Sequence, residues 1–242
     1  LVDTLESKKP DNKILETIGF KSNNDKCKLP YHMGSMDKIK DLTKIKLWFS
    51  KHLGPSFIIS SKLDGSSAML EQKNGTIKLY TRGNGTYGRD ISHLIPLMKK
   101  YRKIPNITDD YCVRGELIVN KVNFKHYSEK FTNSRSMVNG IIGSKEIKDY
   151  NVIKVLDFVV FEMVYFNEKN KMTLEQQLKL SKSLGFTACF FEKYNFEQLN
   201  YFGDNNTVEK SNILKILLDF RLKSEYDIDG IIITENIINK KN

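Results

Sequence analysis

The stretch FIISSKLDGSSAMLEQKNGTIKLYTRG, residues 57–83, contains strand-like apolar runs that are separated by short polar turns. Within it, Asn74-Gly75 lies between two such runs, which is the strongest short-range signal for a β-hairpin. Further strands are predicted at 111–119, 152–166 and 226–236, and helices at 37–53, at 173–185 and after Ser211. Because strands and helices do not alternate regularly, the sequence predicts an α+β fold of antiparallel sheets with flanking helices.

Length and charge narrow the possible functions. At 242 residues the chain can form one large domain or two small ones, and its formal net charge of +10 favours a polyanionic partner. Nucleic acid is favoured over an acidic membrane because no basic amphipathic anchor is present; drift toward lysine is the alternative explanation. Three cysteines and four histidines are scattered without metal-ligand spacing, which argues against a disulfide framework or zinc site. We therefore expect an intracellular protein, cytoplasmic or nuclear, in a reducing compartment.

Short polar stretches interrupt the apolar strands, and each combines charge with glycine: KLDG at 62–65, TRGNG at 81–85, VRGE at 113–116 and DIDG at 227–230. A glycine beside a charged residue lets the backbone come close to a ligand. Such residues at strand ends suit a nucleotide phosphate, its ribose and a divalent metal ion. Each stretch alone is more typical of a turn. Lys62 and Asp64 alone are more typical of a salt bridge at the end of a strand. Together they indicate one shared pocket.

These stretches, in the same order, resemble the motifs of the adenylation (nucleotidyltransferase) domain of NAD-dependent DNA ligases. KLDG resembles motif I, TRGNGTYGRD resembles the family's TRGDGxxGED, and VRGEL resembles motif III. FTNSRS resembles FxNPRN, VLDFVVFEM resembles motif IIIa, DIDGIII resembles motif IV, and HMGSMD resembles the PMLSLD stretch that precedes the domain.

The match runs over about residues 30–235. KxDG alone would also fit ATP-dependent ligases, RNA ligases and capping enzymes. TRGxGxxG and the NxR stretch favour the NAD branch, so the resemblance implies the nucleotidyltransferase fold of DNA ligase adenylation domains.

The resemblance implies a reaction for the pocket. The family's lysine attacks the α-phosphorus of NAD, expels nicotinamide mononucleotide and becomes lysyl-AMP; AMP then passes to the 5′-phosphate of a nick, where the 3′-hydroxyl displaces it. Lys62 takes the place of this nucleophile, and it must lose its proton to attack, aided by a cation such as Arg82 or Mg²⁺. Asp64 would orient Lys62, and Asp229 would lie near the lysine and the metal. The implied catalytic residues are thus Lys62, Asp64, Arg82 and Asp229, with Asp229 as the metal ligand.

A second set of residues is implied to bind NAD. Glu116 would accept hydrogen bonds from the ribose hydroxyls, and the guanidinium groups of Arg82 and Arg135 would bind phosphate. Phe161 takes the place of the aromatic residue that stacks on adenine, although a plain core position is the alternative. The full set is Ser35, Ser60, Lys62, Arg82, Glu116, Arg135 and Phe161.

Three positions depart from the family pattern. Ser60 stands where the NAD enzymes carry a glutamate that reads the adenine amino group, Thr234 where motif IV carries a lysine, and Gly143 where a second arginine is expected. These departures affect adenine reading and phosphate contact. A divergent lineage and an inactive copy are the two explanations.

The resemblance also divides the chain into two parts. Residues 1–36 are predicted to be an N-terminal segment with a short helix and a loop, the tail of an upstream helical cap plus linker. Residues 37–242 are predicted to be the adenylation domain, with motif V, an OB fold and other ligase domains downstream in the full-length protein. Nicked duplex DNA is the expected partner, and no membrane is expected. The alternatives are a non-catalytic nucleic-acid-binding relative and an ATP-using polynucleotide ligase.

Overall fold

A computed structural model describes residues 26–36, 38–39, 41–144, 151–167, 171–199 and 211–238. The helix predicted near the start of the chain lies outside these residues. The strands are β1 (Lys26–Lys28), β2 (Phe57–Leu63), β3 (Ser66–Lys73), β4 (Thr76–Thr81), β5 (Tyr87–Arg89), β6 (Tyr111–Val119), β7 (Leu156–Phe166), β8 (Thr187–Ala188), β9 (Phe191–Tyr194) and β10 (Ile228–Glu235). The helices are α1 (Leu42–Lys51), α2 (Ile95–Lys100), α3 (Lys121–Phe124), α4 (Ser134–Gly143), α5 (Asn151–Val155), α6 (Leu174–Ser183), α7 (Phe196–Leu199) and α8 (Asn212–Lys223).

The strands form two main sheets. One has the order β4-β3-β6-β7-β8 and is antiparallel except for the parallel pair β7–β8. The other has the order β10-β2-β9 and is antiparallel throughout. The tight turn at 64–65 joins β2 of the second sheet to β3 of the first, so Lys62 lies where the chain crosses between them.

Three apolar clusters hold these layers together. The largest packs one face of the five-stranded sheet against α2, α4 and α5, and a second packs the three-stranded sheet against α1 and α8. The third, which includes Ile58 of β2 and Val159 of β7, fills the space between the sheets. Because side chains alternate along a strand, Ser60 and Lys62 share the face of Ile58 and point toward this space.

Most predicted elements are confirmed. Strands occur at 57–63, 66–73, 76–81 and 111–119, and Asn74 and Gly75 both have positive φ, 51° and 74°, as a type I′ turn requires. Thr173 caps α6 in a reciprocal capping box with Gln176, and Ser211 caps α8. The predicted α+β class with antiparallel sheets is therefore confirmed.

Two predicted boundaries are wrong. The helix predicted from residue 37 begins at Leu42, because the Asp41 side chain accepts a hydrogen bond from the Lys44 N–H and caps the first turn. The strand predicted at 152–166 begins only at Leu156, since Asn151–Val155 form a helical turn that buries Ile153. A short apolar run fits either a buried strand or a buried helix, so periodicity alone could not separate them. In the described part of the chain, no helix is long and apolar enough to cross a membrane.

Candidate active site

The centre of the site is an ion pair between two neighbouring strands. Lys62 lies near the end of β2, and its Nζ is 2.7 Å from both Oδ1 and Oδ2 of Asp229 on β10. The pairing register shifts between Ile228 and Gly230, so Asp229 is the extra residue of a β-bulge opposite Lys62. Bulges turn a side chain out of the regular alternation of the strand. Here the bulge aims a carboxylate at the amine, and each side chain remains about 30% exposed (29% and 30%).

Asp64, which was expected to orient Lys62, forms its ion pair with another residue. Its Oδ1 lies 2.7 Å from Nη2 of Arg135, the first-turn residue of α4. The backbone N–H of Asp64 donates to the carbonyl of Asp227, which ties the β2–β3 turn to the start of β10. Asp64 lies beyond the last residue of β2, so the strand alternation that would place it beside Lys62 no longer applies. Arg135, expected on phosphate, is thus held at the same turn.

Glu116 is the buried acid of the site. It lies on β6 directly opposite Ser67 of β3, and its Oε2 accepts a hydrogen bond of 2.9 Å from the Ser67 hydroxyl. Burial raises the pKa of Glu116 from 4.5 to about 7, against the hydrogen bonds from Ser67 and the Gly65 backbone and the charges of Arg135 and Lys62. The carboxyl is therefore poised between its neutral and ionised forms near neutral pH.

A glycine is required at position 65 because the β2–β3 turn comes very close to strand β6. A Cβ placed on it would lie 2.3 Å from the carbonyl oxygen of Leu117 and 2.9 Å from Cγ of Glu116. Any side chain would therefore push the β2–β3 turn away from β6. This packing brings Lys62 on one sheet close enough to Glu116 on the other for the lysine charge to act on the buried carboxyl.

Arg82 begins the glycine-rich loop that follows β4. Its backbone N–H donates to the carbonyl of Ser67, which fixes the start of the loop beside the Glu116 side of the site. Gly83 and Gly85 have positive φ, 55° and 93°, a conformation that favours glycine. The Arg82 side chain is exposed, and within the described residues it makes no hydrogen bond or ion pair. Its guanidinium therefore has no partner among the described residues and is available to a phosphate.

The remaining predicted residues lie in different parts of the fold. Ser60 is buried at 3% exposure on β2, between Ile232 of β10 and Phe191 of β9. Phe161 is half-buried and packs on the cluster between the sheets, so both a core role and a stacking role remain compatible with its position. Ser35 is exposed in the segment that precedes α1.

Two of the positions that depart from the family pattern lie away from the Lys62–Asp229 pair. Thr234 pairs with Ile58, four residues along β2 from Lys62. Gly143 ends α4, eight residues from Arg135, and is exposed with open space around it. Eight residues of α-helix rise about 12 Å, so Gly143 lies at the opposite end of the helix from the Asp64–Arg135 pair.

Sequence reasoning missed three groups that the structure places at the site. Ser67 was not singled out, although it holds Glu116. Arg114 and Glu162 form an ion pair of 2.7 Å across β6 and β7, and Arg114 lies two residues from Glu116 on β6. Arg114 stands in the VRGEL stretch, so its motif was recognised, but nothing in the sequence indicates its partners.

The carboxylates near Lys62 determine whether the site can hold a magnesium ion. In the described part of the chain, no group of three or more histidine, cysteine, aspartate or glutamate side chains could hold a metal ion. Asp229 supplies one carboxylate at the centre of the cleft. Mg²⁺ is commonly held by one or two carboxylates together with substrate phosphates, so this donor set fits a magnesium ion that arrives with a nucleotide.

The arrangement of the two sheets is that of the nucleotidyltransferase fold. The structure of an archaeal ATP-dependent RNA ligase matches 85% of this chain and 45% of its own chain, with a TM-score of 0.50 and 13% sequence identity. At this identity the likeness concerns the fold alone.

The sequence defines the family within this class. Residues 12–242 match the NAD-dependent DNA ligase adenylation domain, and the chain belongs to that family. It is 38% identical over 239 residues to a DNA ligase of Acanthamoeba polyphaga mimivirus, covering 98% of this chain and 35% of the relative. A DNA ligase of Borrelia garinii subsp. bavariensis is 30% identical over 262 residues, covering 98% of this chain and 37% of the relative. The chain thus spans about a third of the length of these relatives.

Proposed function

We propose that this chain transfers AMP from NAD to its own Lys62 and that the protein to which it belongs uses this AMP to seal nicks in duplex DNA. The observation that carries the proposal is the amine of Lys62, held 2.7 Å from both oxygens of Asp229 and close enough to Glu116 for its charge to act on that carboxyl. Membership of the NAD-dependent ligase family supports NAD as the AMP donor.

In the proposed first step, Nζ of Lys62 attacks the α-phosphorus of NAD. A nitrogen–phosphorus bond forms, the bond from the α-phosphorus to the bridging oxygen breaks, and nicotinamide mononucleotide leaves. The amine must lose a proton, and the Asp229 carboxylate in contact with Nζ is the group placed to accept it. When bound, Mg²⁺ would withdraw negative charge from the phosphate oxygens beside Asp229.

The other residues hold the nucleotide for this attack. Ionised Glu116 accepts hydrogen bonds from the ribose hydroxyls, while Ser67 fixes the orientation of its carboxyl. The exposed guanidinium of Arg82 binds phosphate. Phe161 stacks on adenine, and Ser60 and Ser35 complete the set of residues that bind NAD. Arg135 is held by Asp64 in an ion pair with both side chains partly exposed, 46% and 33%, so a phosphate can compete for it.

The experiment is the intact mass of the protein after incubation with NAD, with ATP or with neither. We expect an adduct with the mass of AMP that is labile to acid and forms with NAD. Lys62→Ala and Lys62→Arg should both abolish it, because a guanidinium stays protonated. Lys78→Ala is the matched control, since Lys78 is also a strand lysine paired with an aspartate, at 3.1 Å, but it lies on the edge strand β4. An adduct on Lys62→Ala would refute the nucleophile assignment.

The other outcomes also discriminate. An adduct that forms with ATP and not with NAD would identify an ATP-using ligase. The absence of any adduct in the wild-type protein would favour a nucleic-acid-binding relative that has lost the reaction.

A further inference from the structure

The segment 26–36 lies along the glycine-rich loop that carries Arg82. Strand β1 pairs with β5, and beyond it the N–H groups of Leu29 and Met33 donate to the carbonyls of Thr86 and Gly85. Leu29 and Met33 are buried on the five-stranded sheet in a cluster with Met69, Cys112 and Val164. The segment is therefore fixed as far as Met33, whereas Gly34, Ser35 and Met36 are exposed.

Arg114 holds the segment just before it becomes exposed. Its Nη2 donates a hydrogen bond of 2.6 Å to the carbonyl oxygen of His32, and its Nη1 lies 2.7 Å from Oε2 of Glu162. The Arg114 side chain is only 18% exposed, and its buried Nε has no hydrogen-bond partner within the described part of the chain. One guanidinium thus joins β6, β7 and the N-terminal segment.

The position of Arg114 relates this contact to the nucleotide site. Arg114 precedes Glu116 by two residues on β6, where they lie opposite Met69 and Ser67 of β3. His32 is also close to the loop, since a Cβ on Gly85 would lie 3.1 Å from the His32 ring. Movement of the segment at His32 would therefore shift both the Arg82 loop and the exposed residues around Ser35.

We propose that Arg114 is a positioning residue for NAD: through the carbonyl of His32 it holds the segment 32–36 and the Arg82 loop in the arrangement that receives the dinucleotide. This inference rests on the proposed function. The role requires the fork of a guanidinium, because the two partners lie on different elements and are contacted by different nitrogens. A lysine would have to reach both partners from one nitrogen, whereas Arg114 contacts them from two nitrogens fixed in one plane.

The predicted effect is on binding rather than on the chemical step. Glu162 is 30% exposed and His32 is exposed, so water can replace Arg114 at both partners. The fold should therefore survive the substitution. Loss of a hydrogen bond to a charged donor should raise KM for NAD by about tenfold or more. The reacting amine is not touched, so kcat should change by no more than about threefold.

The test compares Arg114→Ala and Arg114→Lys with wild type in the complete protein that carries this chain. Lys179→Ala is the control, since it removes an exposed ion pair with Glu175 within one helix. The first readout is KM and kcat for AMP transfer from NAD, and the second is amide hydrogen exchange over residues 32–36. We expect both Arg114 variants to show the raised KM and faster exchange, and the control to match wild type in both. Thermal unfolding establishes that all the variants are folded.

The outcomes separate this inference from the proposed function. An unchanged KM in Arg114→Ala, or a KM restored by Arg114→Lys, overturns the positioning role. If the wild-type protein takes no AMP from NAD, the proposed function and this role fall together, and the exchange data then show only whether Arg114 holds the segment. A kcat that falls with KM unchanged would also overturn the inference, because it would place Arg114 in the chemical step.

Discussion

Glu116→Gln tests whether a buried carboxyl at the site titrates near neutral pH. The variant replaces a group that can ionise by one of the same shape that cannot, and its amide oxygen can still accept the hydrogen bond from Ser67. Burial raises the pKa of Glu116 to about 7, from 4.5 for an ordinary glutamate. At about 1.4 kcal/mol for each pH unit, this difference corresponds to about 3 kcal/mol.

The sign follows from the proton count. Below pH 4.5 the carboxyl is neutral in both states and its titration does not affect the free energy of unfolding. Between pH 4.5 and 7 the unfolded chain has lost the proton while the folded chain keeps it, so the unfolding free energy falls as pH rises. Above pH 7 the full destabilisation of about 3 kcal/mol remains, a large part of a typical total of about 5–15 kcal/mol.

Urea unfolding of wild type and Glu116→Gln from pH 4.5 to pH 8 measures this effect. The stability of the variant relative to wild type should rise by about 3 kcal/mol over that range. Glu175→Gln is a control in which the stability change has the opposite sign. Lys179 and Lys193 lower the pKa of Glu175 to about 2, so the ionised carboxylate stabilises the fold above pH 4.5, and the variant loses this stabilisation. A stability difference for Glu116→Gln that does not depend on pH would refute the assignment of a raised pKa.

In wild type, adenine-nucleotide affinity should also increase as pH rises through about 7, since the ribose hydroxyls need the ionised acceptor.

Three further predictions follow from the packing and the charge. Gly65→Ala should destabilise the fold by about 1–3 kcal/mol in urea unfolding and weaken nucleotide binding, because its Cβ would collide with the Leu117 carbonyl; wild-type stability would contradict the close approach. Gly75→Ala, at φ 74°, should destabilise by about 1 kcal/mol, whereas Gly143→Ala, in open space on α4, should not; equal effects would exclude a role for turn geometry. The affinity of the complete protein for nicked duplex DNA should fall with salt on a log–log slope of about −0.9 for each neutralised phosphate, and a flat dependence would assign the +10 charge to lysine drift.

The elements that the sequence predicted best are those with a local cause. Asn74-Gly75 has few alternatives to a type I′ turn between two apolar runs, and Thr173 with Gln176 supplies both halves of a capping box. Short elements without such signals were missed, such as β9, or assigned to the wrong class, such as α5. Their conformation is decided by the sheet and core against which they pack.

The residues of the candidate site, and the proximity of Asp229 to Lys62, were expected from motif resemblance, whereas the structural basis of that contact and the other contacts were not. Lys62 and Asp229 are 167 residues apart in sequence, and their pairing depends on the β2–β10 register and on the bulge at Asp229. No local pattern specifies a register between distant strands. The same reason explains why Arg114 was recognised only as part of a motif, since its partners His32 and Glu162 lie 82 and 48 residues away.

The turn after Lys62 explains why the two aspartates near the lysine take different partners. Gly65 brings the chain against Leu117 of β6, so the backbone has already left the extended conformation of β2 at Asp64. Asp64 is thereby directed to Arg135 at the start of α4, which leaves Lys62 to the carboxylate on the β10 bulge. Asp229 thus pairs with the amine of Lys62, whereas Asp64 pairs with Arg135 and connects the β2–β3 turn to α4. The proposed proton acceptor therefore lies on the strand beside the proposed nucleophile, and the β2–β3 turn keeps its own ion pair with Arg135.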